Sequence, residues 1–156
     1  FMLRESGEAN GIGGQVPLLP NPEINITTYR ALSTAIQSGL VRTAHDCSEG
    51  GVAVAAAEMC IGGRVGADID IDGTGDASVW ARLWGESLGR FLVGVQPENE
   101  ADFIKWMAGH PITILGTVTD SENLTISDGH EILIDIKTNS MVEAWQKTLD
   151  MTGGVA

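Results

Sequence analysis

The run His45-Asp46-Cys47-Ser48-Glu49-Gly50-Gly51 gathers an imidazole, two carboxylates, a thiol, a hydroxyl and two glycines into one short segment. Glycine lets backbone N–H groups approach a ligand without a Cβ in the way. At the start of a helix such groups carry partial positive charge, so Gly50 and Gly51, with Ser48 able to cap, read equally as an anion-binding cradle or as an ordinary helix cap after a strand. Asp46 and Glu49 complicate that chemistry, because carboxylates repel a phosphate unless Mg2+ or a basic group intervenes. They suit ribose hydroxyls, or arginines of a neighbouring domain. His45 reads as a packed strand-end histidine rather than a base, since no second catalytic partner stands near it in sequence. Cys47 has no base at a diagnostic spacing, so a nucleophilic role is not expected. A second polar knot, Glu86-Ser87-Leu88-Gly89-Arg90, offers a guanidinium that could bind phosphate or brace the first loop.

The flanking residues predict how the first loop is held. Leu40 to Ala44 is short, apolar and partly β-branched, which predicts a strand. Val52 to Ile61 is made of helix formers with one charge, Glu58, and ends at Gly62-Gly63. A first amphipathic helix is expected from a Thr27 cap, with Leu32, Ala35 and Ile36 on one face and Gly39 at its end. Val65 to Asp72 alternates, placing Val65, Ala67, Ile69 and Ile71 on a core face and Asp68, Asp70 and Asp72 on a solvated one. Asp70, Asp72, Thr74, Gly75 and Asp76 imitate the opening of a calcium loop, but Ala81 stands where a bidentate Glu is needed, leaving at most weak Mg2+ association. A short helix capped by Asp76 or Ser78 and stopped at Gly85 carries Trp80 and Trp84. The strand Phe91–Val95 follows, and then a helix opened by Pro97. Strands are expected at 112–118, 124–126 and 132–136, the last two joined by an Asp128-Gly129 hairpin, before a final helix containing Met141 to Leu149. Helices and strands alternate early and a meander comes late. The expected fold is therefore α/β (α+β), a mixed, largely antiparallel sheet covered by helices.

Residues 1–26 hold seven glycines and prolines that break both helix and strand, which predicts a linker or docking arm. Gly11-Ile12-Gly13-Gly14 lacks the pattern of a phosphate loop. The folded domain is expected over 27–150 and a flexible tail over 151–156. An opening Phe1 rather than Met suggests a piece of something longer. The excess of 21 acidic over 9 basic residues repels phosphate backbones and anionic membranes, so neither nucleic acid nor membrane is an expected partner. Cys47 and Cys60 form no CxxC or Cys/His cluster, so zinc and a disulfide framework are not expected and a reducing cytoplasm is. No long apolar run predicts a membrane span or a signal peptide.

Taken in order, these landmarks are specific. Ala44-His45-Asp46-Cys47-Ser48-Glu49-Gly50-Gly51-Val52-Ala53-Val54-Ala55 resembles the HDxSEGGxAVA segment of the phosphoribosylformylglycinamidine synthases. Gly66-Ala67-Asp68-Ile69-Asp70, Gly85-Glu86-Ser87-Leu88-Gly89-Arg90-Phe91-Leu92-Val93, Ile114-Leu115-Gly116-Thr117-Val118 and Glu143-Ala144-Trp145 resemble the last domain of that family. Val52 stands where Leu is commoner. The resemblance runs from about Thr27 to Trp145. It implies the C-terminal half-domain type shared with aminoimidazole ribonucleotide synthetase, selenophosphate synthetase, thiamine-phosphate kinase and a hydrogenase maturation factor.

The implied reaction is a purine-pathway ligation, in which ATP phosphorylates the amide oxygen of formylglycinamide ribonucleotide and glutamine-derived ammonia displaces the phosphate to leave an amidine. The resemblance implies ATP and Mg2+ bound mainly by domains that precede this one. It also implies partnership with those domains and with a glutaminase subunit or domain, and an isolated chain that does not turn over. The expected substrate- or nucleotide-binding residues are Asp46, Ser48, Glu49, Gly50, Gly51, Glu86, Ser87 and Arg90, with no catalytic residue and no metal ligand. Apolar faces cut from a larger ligase would favour a homo-oligomer. The alternatives are a noncatalytic interface domain, or the equivalent domain of another ATP-dependent synthetase. A bulky residue at Gly50 is expected to weaken ligand affinity and leave folding intact.

Overall fold

The structure, a computed structural model, describes residues 22–147. Its first helix, α1 (Pro22–Gln37), starts five residues ahead of the expected Thr27 cap. Proline at the first helical position brings its preset φ and lacks only an N–H that would have no intrahelical partner. Thr27 lies inside the helix and turns its hydroxyl back to the carbonyls of Glu23 (3.0 Å) and Ile24 (2.9 Å). Residues 22–26 of the expected linker are therefore helical, while its first 21 residues and the expected tail lie outside the described residues. At the other end Gly39, with φ +76°, lets the chain turn so that Leu40 N–H reaches the Ala35 carbonyl.

Strand β1 (Thr43–Asp46) begins later than the apolar run suggested and takes His45 and Asp46 into the strand. It pairs antiparallel with β3 (Phe91–Gly94), Asp46 opposite Phe91 and Thr43 opposite Gly94. Helix α2 (Gly51–Gly63) follows, and Arg64 rather than a glycine takes the left-handed C-terminal position, its N–H bonded to the Cys60 carbonyl. The small side chains of Ala53, Ala56 and Cys60 pack against Ala67, Ile69, Ile71, Leu124 and Ile126, with Leu83 and Met141 closing the cluster. Ile71, Leu124 and Ile126 are fully buried. Each contributes about 1.5–3 kcal/mol through burial alone.

The main sheet runs β4 (Gly116–Thr119), β2 (Gly66–Asp70), β5 (Asn123–Asp128), β6 (Glu131–Lys137). β2 pairs parallel with β5, and the β2–β4 and β5–β6 pairs are antiparallel. The mixed, largely antiparallel layer expected from the sequence is thus present. The β5–β6 hairpin turns at Asp128-Gly129, Gly129 having φ +61°. β4 is shorter than expected. Residues 112–115 pair little, although the Leu115 carbonyl still accepts from Asp70 N–H at 2.7 Å.

Helix α3 (Val79–Trp84) is capped by Ser78, whose hydroxyl accepts from Ala81 N–H, and it stops at Gly85 as expected. A 3-10 turn (Pro97–Asn99) leads into α4 (Glu100–Trp106), whose Phe103 packs with Met107, Leu32 and Ala35 in a second core between α1 and α4. Helix α5 (Thr138–Gln146) closes the main core with Met141; the buried Thr138 hydroxyl donates to the Val65 carbonyl at 2.8 Å. Trp84 packs against the main core, whereas Trp80 and Trp145 are exposed. No helix among the described residues is long and apolar enough to cross a membrane.

Candidate functional site

The β1–β3 pairing brings the two polar knots together. Asp46 ends β1 opposite Phe91, so the residues after Asp46 run beside the residues before Phe91. Cys47 N–H donates to the Arg90 carbonyl at 3.0 Å, one bond beyond the ladder. The Arg90 guanidinium donates to the Gly85 carbonyl. Gly50 N–H donates to the Glu86 carboxylate at 3.0 Å. The two segments are therefore joined at both ends.

Between them and one face of α1 lies an open groove of about 730 Å³. Asp46, Ser48, Glu86, Ser87 and Arg90 line it, against Tyr29, Leu32 and Ile36 of α1. Phe91 meets Tyr29 edge to face, with ring centroids 5.6 Å apart. Five of the eight expected site residues thus share one groove, while Glu49, Gly50 and Gly51 do not line it. The α1 wall is not legible from the sequence, because its periodicity signals a packing face and nothing local says which loop it faces. Gly89 carried a faint signal. A Cβ there would come within 2.6 Å of the Tyr29 hydroxyl.

The glycines act differently from the expected cradle. Gly50 occupies the N-cap of α2 in a left-handed conformation (φ +75°), which places Ser48 two residues before the cap and out of capping position. The Ser48 hydroxyl donates instead to the Asp46 carboxylate, and the Ser48 carbonyl accepts from Gly51 N–H at 3.3 Å. The acceptor at the positive helix end is the chain's own Glu86 carboxylate, which satisfies both the amide and the helix dipole. Gly51 is a contact point. A Cβ on it would lie 2.7 Å from the carbonyl oxygens of Gly85 and Leu83, so α2 begins directly on the end of α3. A bulky residue at Gly50 would strike Val54 Cγ2 at 2.2 Å in a backbone region that side chains disfavour, so it perturbs the fold rather than sparing it.

Asp46 is exposed, and the Ser48 hydroxyl, followed by a backbone N–H, holds its carboxyl below the usual carboxylate range. His45 joins β1 to α2: Nε2 lies 3.0 Å from the Glu58 carboxylate and Nδ1 2.7 Å from the Asp46 carbonyl. That accords with a structural histidine. Cys47 is buried, and burial pushes its thiol up, the opposite of an activated nucleophile.

The acidic row on β2 serves the hairpin. Asp70 accepts from the N–H groups of Asp72 and Gly129, both at 2.9 Å, and these bonds hold its carboxyl below the usual range. Arg82 pairs with Asp128 and donates to the Ile71 carbonyl at 2.9 Å. Among the described residues no group of three or more His, Cys, Asp or Glu could hold a metal ion.

Residues 1–129 match the family described as AIR synthase related protein, C-terminal domain. The phosphoribosylformylglycinamidine synthase subunit PurL of Synechocystis sp. is 35% identical over an alignment covering 94% of this chain and 21% of that protein. The chain thus spans about a fifth of the length of this curated relative. Among solved structures, Thermotoga maritima PurL complexed with FGAR superposes with a TM-score of 0.69 at 20% identity, over 78% of this chain and 21% of that one. The same protein complexed with ATP gives 0.66 at 21% identity, over 74% and 21%. The PurLQS structure from T. maritima gives 0.69 at 20% identity, over 80% and 22%. At these identities the superpositions speak for the fold.

Proposed function

This chain belongs to the AIR synthase related protein C-terminal domain family, and from that premise we propose that it is the C-terminal domain of a phosphoribosylformylglycinamidine synthase. The observation that carries the reading is the 35% identity to a PurL subunit sustained over 94% of the chain. The order of landmarks from His45 to Trp145 supports it. The activity is an ATP-dependent ligation. ATP phosphorylates the amide oxygen of formylglycinamide ribonucleotide, ammonia from glutamine adds at that carbon, and phosphate leaves with the oxygen to give the amidine.

In this reading the chain supplies one wall of a substrate or nucleotide site. Asp46, Ser48 and Ser87 present a carboxylate and two hydroxyls to the groove, a set suited to sugar hydroxyls. Glu86 and Arg90 line it as well, Glu86 holding the Gly50 amide and Arg90 the Gly85 carbonyl. The T. maritima PurL structures complexed with FGAR, ATP, AMPPCP or ADP support a nucleotide-binding reading. Reaction-linked Mg2+ belongs with other domains of the synthase. Upstream domains of the same synthase and a glutaminase subunit are the expected partners, and the PurLQS assembly supports that expectation. A cytoplasmic location follows from purine ligation itself.

The test is made in the intact synthase that carries this chain. Asp46→Ala and Ser48→Ala each remove a groove hydrogen-bonding group from an exposed position and are expected to raise the KM for formylglycinamide ribonucleotide or ATP by about tenfold. Unchanged constants for both substrates in both variants would reject the ligand role. They would favour a second reading, a structural duplicate of the site. One observation already leans that way: the amides of Gly50 and Gly51 are taken by the chain's own Glu86 and Ser48.

A further inference from the structure

Glu86 and Gly50 are distant in sequence, yet their hydrogen bond is one of two anchors that bracket the tip of the first loop. The other is Cys47 N–H on the Arg90 carbonyl. Only Ser48 and Glu49 stand between the anchored residues. Ser48 is also the donor to Asp46, so whatever fixes the loop tip also fixes the hydroxyl–carboxylate pair that faces the groove.

Gly50 adopts φ +75°, a conformation that glycine enters and leaves at little steric cost, so backbone sterics alone do not hold it. Glu86 follows Gly85 directly, and Gly85 is fixed twice: its N–H donates to the Ala81 carbonyl and its carbonyl accepts from Arg90. The carboxylate therefore projects from a rigid base toward a compliant loop. We propose that Glu86 is a positioning residue, which holds the Gly50 amide and through it sets the Ser48–Asp46 pair in the groove, without touching the ligand itself.

The binding consequence rests on the groove being a ligand site, as proposed above; the loop-fixing role does not. In the intact protein, hydrogen exchange followed by mass spectrometry reads the loop through peptides covering residues 47–54, and kinetics with formylglycinamide ribonucleotide and ATP read the groove. Glu86→Ala is expected to accelerate exchange at Gly50. It should also raise the KM of the groove's ligand by about fivefold, the scale of one lost hydrogen bond, with kcat changed less than about twofold. Glu86→Gln keeps a carbonyl acceptor and is expected to restore both readouts to near wild type.

Wild-type exchange in Glu86→Ala would overturn the anchor. Faster exchange with both KM values unchanged would reduce Glu86 to a structural brace and overturn positioning. A Glu86→Gln variant as impaired in KM as Glu86→Ala, with normal exchange, would mean that the carboxylate charge acts on the ligand directly, which also overturns it. Failure of the groove reading is told apart by Asp46→Ala and Ser48→Ala. If those leave both KM values unchanged while Glu86→Ala raises one, Glu86 does not act through the Ser48–Asp46 pair and positioning is overturned; if all three variants leave both KM values unchanged while Glu86→Ala speeds exchange, the groove reading fails and the loop anchor stands.

Discussion

The contact between Gly51 and the end of α3 makes a quantitative prediction. Replacing Gly51 by Ala adds one methyl group where three backbone atoms already stand, the carbonyl oxygens of Leu83 and Gly85 at 2.7 Å and the Trp84 carbonyl carbon at 2.9 Å. Backbone cannot swing aside as a flexible side chain can. Forcing an extra carbon into a packed site costs about 1–3 kcal/mol. The left-handed backbone of Gly51, φ +64°, adds roughly 1–2 kcal/mol for a residue with a Cβ. Gly51→Ala is therefore expected to destabilise the chain by about 2–5 kcal/mol.

Gly39→Ala is the control. Its φ is +76° and nothing lies within 4 Å of the added Cβ, so only the backbone term of about 1–2 kcal/mol remains. With a urea slope of about 2 kcal/mol/M, Gly51→Ala should move the unfolding midpoint down by about 1–2.5 M and Gly39→Ala by about 0.5–1 M. Equal midpoints for the two variants, measured by circular dichroism, would refute the claim that α2 is seated by direct contact with the end of α3.

Two further outcomes follow from the core and the hairpin. Leu124→Ala removes a fully buried side chain from the parallel β2–β5 pair and is expected to cost about 2–5 kcal/mol in urea unfolding, the range for a leucine cavity; a loss under 1 kcal/mol would mean that the main core is not where the structure places it. Asp70 has a carboxyl held below the usual range, first by Asp72 N–H and then by Gly129 N–H, so its contribution to stability is present above the unfolded value of about 3.9 and is lost as pH falls through the lower folded value. Asp70→Asn should accordingly flatten that acid limb of stability against pH, and an unchanged limb would remove Asp70 as its source.

Much of this fold can be read from local residue order. The alternation from Val65 to Ile71, the Asp128-Gly129 turn, the Ser78 cap and the Gly85 stop each act within a few residues, and each appears where the pattern puts it. Helix starts were less legible. Thr27 and Ser48 both have the chemistry of a cap, and both turn their hydroxyls elsewhere because Pro22 and Gly50 set the helix entry. The groove was half legible. Both polar knots stand out by composition, but the Arg90 guanidinium ties back to the Gly85 carbonyl of its own segment rather than to the first loop. The α1 wall and the Glu86–Gly50 bond were beyond reach, since both depend on which strand pairs with β1 rather than on anything near them in the chain.

The parallel pairing of β2 with β5 has an architectural consequence. A parallel pair cannot be closed by a tight turn, so the chain leaving β2 must travel before it returns as β5. That detour carries α3, the Glu86–Arg90 segment, β3, α4 and β4. Half of the groove is thus an inserted module whose two points of attachment are adjacent strands of one sheet. It meets the matching half of the groove along the β1–β3 ladder, at Cys47 N–H on the Arg90 carbonyl, at the Glu86–Gly50 bond and where Gly51 abuts the end of α3. The β2–β5 register thus fixes where the detour carrying that half of the groove leaves the sheet and where it comes back.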